Sequence, residues 1–127
     1  MTTREDIESY LIKMAVAYDD LDGTILRLRT SGVDNLLVTI ADPIIVFRLK
    51  VMSLPSERRE ALFETLLRLN TTELLHCAFG IEGNAIVLGS ALVLETLDFN
   101  EFQAVVDDIT LAVSKHHEAL SQFHSTP

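Results

Sequence analysis

The spacing of hydrophobic positions changes several times along this chain. Ile7, Leu11, Met14 and Tyr18 recur at helical intervals and leave Glu5, Glu8 and Lys13 largely outside the stripe. Thr2 with Glu5, and Thr3 with Asp6, offer hydroxyl caps followed three residues later by a carboxylate. The helix is predicted to start there. It should end near Asp19-Asp20-Leu21-Asp22-Gly23, where three carboxylates oppose the helix dipole and glycine permits a turn. The period then becomes two. Leu26 and Leu28 alternate with Ile25, Arg27 and Arg29, and Ser31 to Asn35 breaks the run. Leu36, Val38 and Ile40 form a second strand ending at Asp42-Pro43. A third, Ile44 to Met52, sets Ile45, Phe47, Leu49 and Val51 against Val46, Arg48, Lys50 and Met52, so one of its faces is mixed and partly wet.

A second helix opens at Pro55-Ser56-Glu57, with an early acid at the positive end of the dipole. Its stripe, Leu62, Phe63, Leu66, Leu67 and Leu69, runs to Asn70, a residue that tolerates the left-handed conformation past a helix end. Leu75, Cys77, Phe79 and Ile81 return to strand period, and Glu82-Gly83-Asn84 leads tightly into a strand from Ala85 to Leu94, the strongest hairpin signal in the chain. Asp98 with Glu101 caps a last helix carrying Phe102, Val105, Val106, Ile109, Val113, His116 and Leu120, and Ser121 to Pro127 should fray. The predicted order is α-β-β-β-α-β-β-α. The connections within each run of strands are too short for crossovers, so the expected fold is α+β: one antiparallel sheet with helices packed mainly on one side.

Composition narrows the function. The chain has 127 residues, enough for one domain over 1–127 with an ordered core about 3–120, and 48% of them are hydrophobic, which argues against disorder. Ten Lys and Arg against 19 Asp and Glu give a formal charge of -9, the opposite of a footprint for phosphate backbones. Nucleic acid is therefore demoted as a partner. The single Cys excludes an internal disulfide and a Cys-built zinc site. The polar, acidic N-terminus is unlike a signal peptide, and no run approaches the roughly eighteen apolar residues of a membrane span. A soluble, cytoplasmic protein without membrane contact is expected.

Charge is also distributed unevenly. Eight carboxylates after Leu69 face the single base Lys115, whereas the first half is nearly balanced. Arg27, Arg29, Arg48 and Lys50 occupy alternate positions of two strands, so each pair lies on one strand face and the two can form a cationic band. Such a band reads either as a solvated face that discourages edge aggregation or as a docking surface for an acidic segment of a protein partner.

Enzyme constellations are weak. His116, His117 and Glu118 are helix neighbours pointing about 100° apart, a poor start for a metal site, and His117 with His124 are seven apart and could share a face. His116 lies on the apolar stripe as a boundary histidine. His76 and Cys77 face opposite sides of a strand and make no nucleophile–base pair, and Cys77 shares a face with Phe79 and Ile81, as a buried structural thiol would. Gly80, Gly83 and Gly89 lack the spacing of a phosphate loop, and Asp19, Asp20 and Asp22 lack the order of a calcium loop. Asp107 and Asp108 read as solvated. No catalytic residue, metal or cofactor is predicted, and the expectation is that the protein is not an enzyme.

The element order, with Leu66-Leu67-Arg68-Leu69-Asn70, Cys77-Ala78-Phe79-Gly80-Ile81, Gly83-Asn84-Ala85-Ile86-Val87-Leu88 and Leu97-Asp98 in sequence, resembles the type III secretion chaperone-like fold. That fold includes the Tir-chaperone (CesT) type and the YbjN-like bacterial proteins. The resemblance covers essentially the whole chain. It implies a non-catalytic homodimer that holds a partner polypeptide, in some members a secreted effector, in an extended state. It also implies dimer contacts from the second helix and nearby strand, which places Phe63 and Leu67 either in a dimer interface or in the ordinary core. The YbjN-like members imply the alternative of a regulatory or sensory protein-interaction module without chaperone activity, since a fold does not carry a function by itself.

Overall fold

The computed structural model describes residues 2–30 and 32–123. Helix α1, Arg4–Lys13, starts on a reciprocal cap: Thr3 Oγ1 accepts from the Asp6 amide at 3.3 Å, and the Asp6 carboxylate accepts from the Thr3 amide at 2.8 Å. Thr2 serves elsewhere. It is buried, and its amide and hydroxyl donate to Leu94 O and Leu97 O at 3.1 and 2.7 Å.

The helix ends earlier than its stripe suggests. Ala15 adopts a left-handed φ of 56°, and the amides of Ala15 and Val16 bond back to Ile12 O and Leu11 O, each at 3.0 Å. This double closure is a Schellman motif with alanine in the position that glycine usually takes. The chain then enters a strand, β1 (Ala17–Asp20), where helix and loop were expected. Three strands follow as predicted: β2 (Ile25–Thr30), β3 (Val33–Ala41) and β4 (Ile44–Ser53). Helix α2 (Arg59–Thr72) begins later than Pro55-Ser56-Glu57, after Arg58 in a left-handed conformation, and passes Asn70 without a break. Strands β5 (Ala78–Glu82) and β6 (Ala85–Val93) form the expected hairpin, with Gly83 at φ 60° in its turn. Helix α3 (Phe99–Ser121) starts on Asp98, whose carboxylate accepts from the Glu101 amide at 2.8 Å. Where fraying from Ser121 was expected, Ser121 is the last helical residue and Phe123 is buried. His124 and the rest of the C-terminus lie outside the described residues.

The observed order is therefore α-β-β-β-β-α-β-β-α, one strand more than predicted. All six strands join one antiparallel sheet in the order β1-β2-β3-β4-β6-β5. Leu26, Leu28, Leu36, Val38, Ile45, Phe47, Leu49, Ile86 and Leu88 project to one face and join Ile7 and Leu11 of α1, Leu62 and Leu66 of α2 and the α3 stripe in a single core. Aromatic contacts stitch the layers, with Phe47 and Phe102 centroids 5.5 Å apart and Tyr10 5.7 Å from Phe102. The opposite face of the sheet is outside this core.

The sheet is not continuous along its length. The β3–β4 ladder runs from Ala41↔Ile44 to Leu37↔Arg48 and stops, so Val33–Leu36 pair only with β2 and Leu49–Ser53 only with β6. Each departing strand carries one extra residue there. Three steps of β3 match two of β2 between Leu28↔Leu36 and Thr30↔Val33, and two steps of β4 match one of β6 between Lys50↔Val87 and Met52↔Ile86. Bulges of this kind bend a strand and sharpen its twist, which accounts for the divergence.

Candidate functional site

The core-free face of the sheet carries the four predicted cations. Pairing aligns Asp19, Arg27, Leu37, Arg48, Gly89 and Ala78 in one row across all six strands, and the alternation of side chains places Arg29 and Lys50 on the same face. Three of the four cations meet carboxylates. Arg27 Nη2 lies 2.8 Å from Asp19 Oδ2, and Arg29 bonds the same oxygen. These guanidinium groups, Arg27 foremost, hold the Asp19 carboxyl below its usual range. Arg27 Nε is buried without a partner. Arg48 Nε reaches Glu82 at 2.9 Å by passing over Gly89, where an added Cβ would collide with the Arg48 guanidinium. Lys50 has no carboxylate within ion-pair distance among the described residues. Around this row the small residues Ala78, Gly80, Gly89 and Ala91, with Ile44 and Val46, line a shallow groove of about 450 Å³.

The second surface is the flank of α2 beside the edge strand β5. Leu62 and Leu66 turn into the core, Phe63 is half-buried against it, and Leu67 is 66% exposed. Phe63 and Leu67 line two adjoining grooves, one along α2 with Glu60 and Arg68, and one of about 340 Å³ toward Phe79, Gly80 and Ile81. Ile81 is 55% exposed. Asn70, expected as a helix stop, instead joins helix to strand. Its Nδ2 donates to Phe79 O at 3.1 Å and its Oδ1 accepts from the Phe79 amide at 2.7 Å. A side-chain amide thus does for the middle of the β5 edge what a neighbouring strand would do.

Several of the remaining chemistry-bearing groups serve the fold. Asp108, expected in solvent, accepts from the Leu75 and His76 amides at 3.3 and 2.8 Å and from Cys77 Sγ at 3.4 Å. Burial first, and then the Asp108 charge, push the Cys77 thiol up to about 12. His76 is exposed and His116 is buried in the α3 stripe. Asp20, Glu8, Arg4 and Tyr18 tie α1 to β1: Arg4 lies 2.7 Å from Asp20 and 3.1 Å from Glu8, and Tyr18 Oη donates to Glu8 at 2.8 Å. Asp22 closes the following turn by accepting from the Thr24 and Ile25 amides. Among the described residues no three His, Cys, Asp or Glu side chains are grouped to hold a metal, and no helix is long and apolar enough to cross a membrane.

Comparison with known proteins fits this architecture. No curated protein sequence matches the chain significantly. Among solved structures, a chain of the heterodimeric ExoU–SpcU complex from the type III secretion system of Pseudomonas aeruginosa is 16% identical. It aligns over 86% of this chain and 93% of that one at a TM-score of 0.71. YbjN from E. coli, a candidate transcription regulator, is 15% identical over 91% of each chain at 0.64. A chain of the ExsC–ExsE complex is 12% identical over 93% and 96% at 0.56. These likenesses show a shared fold across nearly the whole chain, which is where the resemblance in the sequence had pointed. With the CesT_Tir_1 family model matching residues 1–126, fold and sequence agree, and the chain belongs to the CesT_Tir_1 family.

Proposed function

We propose that this protein is a non-catalytic, chaperone-like adaptor that works in the cytoplasm as a homodimer and holds a segment of a partner polypeptide. The observation that carries the reading is membership of the CesT_Tir_1 family over residues 1–126, with similar folds in two complexes between proteins, ExoU–SpcU and ExsC–ExsE. Self-association runs through Phe63 and Leu67 on α2, continued by Ile81. A 66% exposed leucine beside a half-buried phenylalanine and an exposed isoleucine is the kind of apolar patch that interfaces use. The partner docks by an acidic segment on the outer sheet face, where Arg27, Arg29, Arg48 and Lys50 steer it and the small-residue groove receives it.

The decisive experiment coexpresses the chain with the product of an adjacent gene, purifies the complex and measures hydrogen exchange in the partner. A partner segment that exchanges fast when free, is protected when bound and lacks a folded core of its own supports the adaptor. A strictly monomeric protein at micromolar concentrations removes the homodimer. Reversing all four cations to Glu should abolish capture, and unchanged capture takes the outer face out of the reading. The likeness to YbjN favours a second reading, a regulatory interaction module that binds a fully folded partner. A partner that keeps its native exchange pattern in the complex would select it.

A further inference from the structure

We infer that Asn70 is a lock on the β5 edge, a residue that bars strand addition there by holding in its own side chain the main-chain groups a new strand would use. The inference goes beyond the adaptor reading and does not depend on it. In an antiparallel ladder, alternate residues turn their amide and carbonyl toward the neighbouring strand or away from it. The β5–β6 hairpin closes with Glu82↔Ala85 around Gly83 and Asn84, so Ala78, Gly80 and Glu82 turn theirs toward β6, and Phe79 and Ile81 turn theirs outward. A strand joining from outside would need both outward residues. Asn70, in the last turn of α2, already occupies one of them completely, accepting from the Phe79 amide at 2.7 Å and donating to its carbonyl at 3.1 Å. A primary amide suits this task because it donates and accepts side by side, as a peptide unit does.

The chain leading into β5 is closed in the same way. Asp108 of α3 accepts from the Leu75 and His76 amides, so these donors are also taken. Ile81 is left open, and a single residue supports one ring of a ladder instead of a run of them. The opposite edge of the sheet, β1, is guarded by other means, being four residues long with Asp19 and Asp20 among them. Strand β5 has few such defences. It contains no Lys or Pro, its one charge lies at the turn, Ala78 and Gly80 make it flat, and Ile81 is 55% exposed. An edge of that kind is a template for pairing, and the lock is what withholds it. Asn70 also lines the α2–β5 groove with Phe63, Leu67 and Ile81. Whatever is seated in that groove therefore meets side chains and not an open ladder, which makes Asn70 a determinant of how this flank associates.

The test uses the whole chain, labelled with nitrogen-15 and carrying Leu67→Ser, which strips the flank of the leucine a second copy would cover. The probe is the blocked, uncharged peptide Thr-Val-Thr-Ile-Thr-Ser, and its control is the same peptide with alternate amides methylated, which cannot form a ladder. With Asn70 in place, the β5 amides should not respond at millimolar peptide. With Asn70→Ala, Phe79, Gly80 and Ile81 should shift saturably, and the Phe79 amide, fast to exchange in the free variant, should slow in the complex. The two main-chain groups released correspond to about tenfold or more in affinity. Asn70→Asp still accepts from the Phe79 amide but cannot donate to its carbonyl; it should bind measurably but more weakly, and it carries the test if the alanine variant does not fold. Leu66→Ala, which loosens the core and keeps the lock, should not bind. Peptide addition along β5 in the presence of Asn70, none after its removal, or equal binding by Leu66→Ala overturns the inference. Dimerisation through Phe63 and Leu67 and capture on the outer face are read on the chain with Leu67 intact, and their failure leaves the lock standing.

Discussion

Two neighbouring leucines separate folding from association. Leu66 is 5% exposed in the core, and Leu67, one residue on, is 66% exposed on the α2 flank. Truncating a packed leucine to alanine removes transfer free energy and leaves a cavity, so Leu66→Ala should cost the fold about 2–5 kcal/mol. Leu67→Ala removes little that the monomer uses, and its effect on monomer stability should stay within about 0.5 kcal/mol. Association reverses the ranking. Burying a leucine fully is worth about 1.5–3 kcal/mol, and the exposed two-thirds of Leu67 represents about 1 kcal/mol or more. A two-fold dimer buries the same patch on both copies, so about 2 kcal/mol is at stake, on the order of thirtyfold in the dimer Kd. Sedimentation equilibrium reads the Kd. Urea unfolding below the Kd reads the monomer alone, since dimerisation otherwise adds to apparent stability. An unchanged Kd for Leu67→Ala refutes the interface, and a loss of monomer stability equal to that of Leu66→Ala refutes the placement of Leu67 outside the core.

The other predictions test individual contacts. Glu8 is held below its usual carboxyl range by the Tyr18 hydroxyl first and Arg4 second, and Asp20 by the Gly23 amide first and then Arg4. Their contribution is fully present above the ordinary values of 4.5 and 3.8 and is lost as pH falls through the lowered folded values, so Tm should fall in acid below about pH 4.5. Tyr18→Phe should flatten that limb, and an identical acid profile would show that the α1–β1 tie does not contribute. Asn70→Ala leaves the Phe79 amide and carbonyl unpaired and should cost about 1–3 kcal/mol, with fast amide exchange at Phe79; persistent protection there would mean that another group closes the edge. Ala15→Gly relieves a left-handed alanine and should stabilise the protein by about 0.5–1 kcal/mol, an expectation that any loss of stability in urea contradicts. With its thiol pushed up to about 12, Cys77 should react with iodoacetamide at pH 8 about a thousandfold or more slowly than free cysteine, and readily once unfolded in urea.

The periodic elements were legible because each has a face that buries. Alternation identified β2, β3 and β4, and the stripe of α3 is buried from Phe102 to Leu120, with Ala112 rather than the half-buried Val113 completing it. Strand β1 was not legible. Tyr18 continues the phase of Ile7, Leu11 and Met14, so hydrophobic spacing alone extends the helix through it, and the usual marker of a helix end is absent because alanine occupies the left-handed position. What makes Ala17–Asp20 a strand is pairing with β2, a contact that no local propensity expresses. Asn70 was misread for a related reason: its capping propensity is local, whereas its two bonds to Phe79 are tertiary. The placement of β6 between β4 and β5 is likewise a property of sheet assembly.

The same distinction decides what the cationic face can do. Alternation in the sequence puts Arg27 and Arg29 on one side of β2, and Arg48 and Lys50 on one side of β4, but the net field depends on which carboxylates the register brings beside them. The unforeseen β1 delivers Asp19 to both arginines of β2, and Gly89 lets Arg48 cross β6 to Glu82 on β5. Exposed pairs of this kind stabilise the fold little, yet they shorten the reach of each charge, since a paired guanidinium presents a dipole to an approaching partner. Among the described residues Lys50 alone of the four lacks a carboxylate partner and keeps its full monopole, and it stands where the β3–β4 ladder stops. Electrostatic steering of an acidic segment should therefore depend more on Lys50 than on any one arginine. Lys50→Glu should slow association at low salt more than Arg48→Glu, with the difference vanishing at high salt; equal effects of the two reversals would place the attraction in the band as a whole.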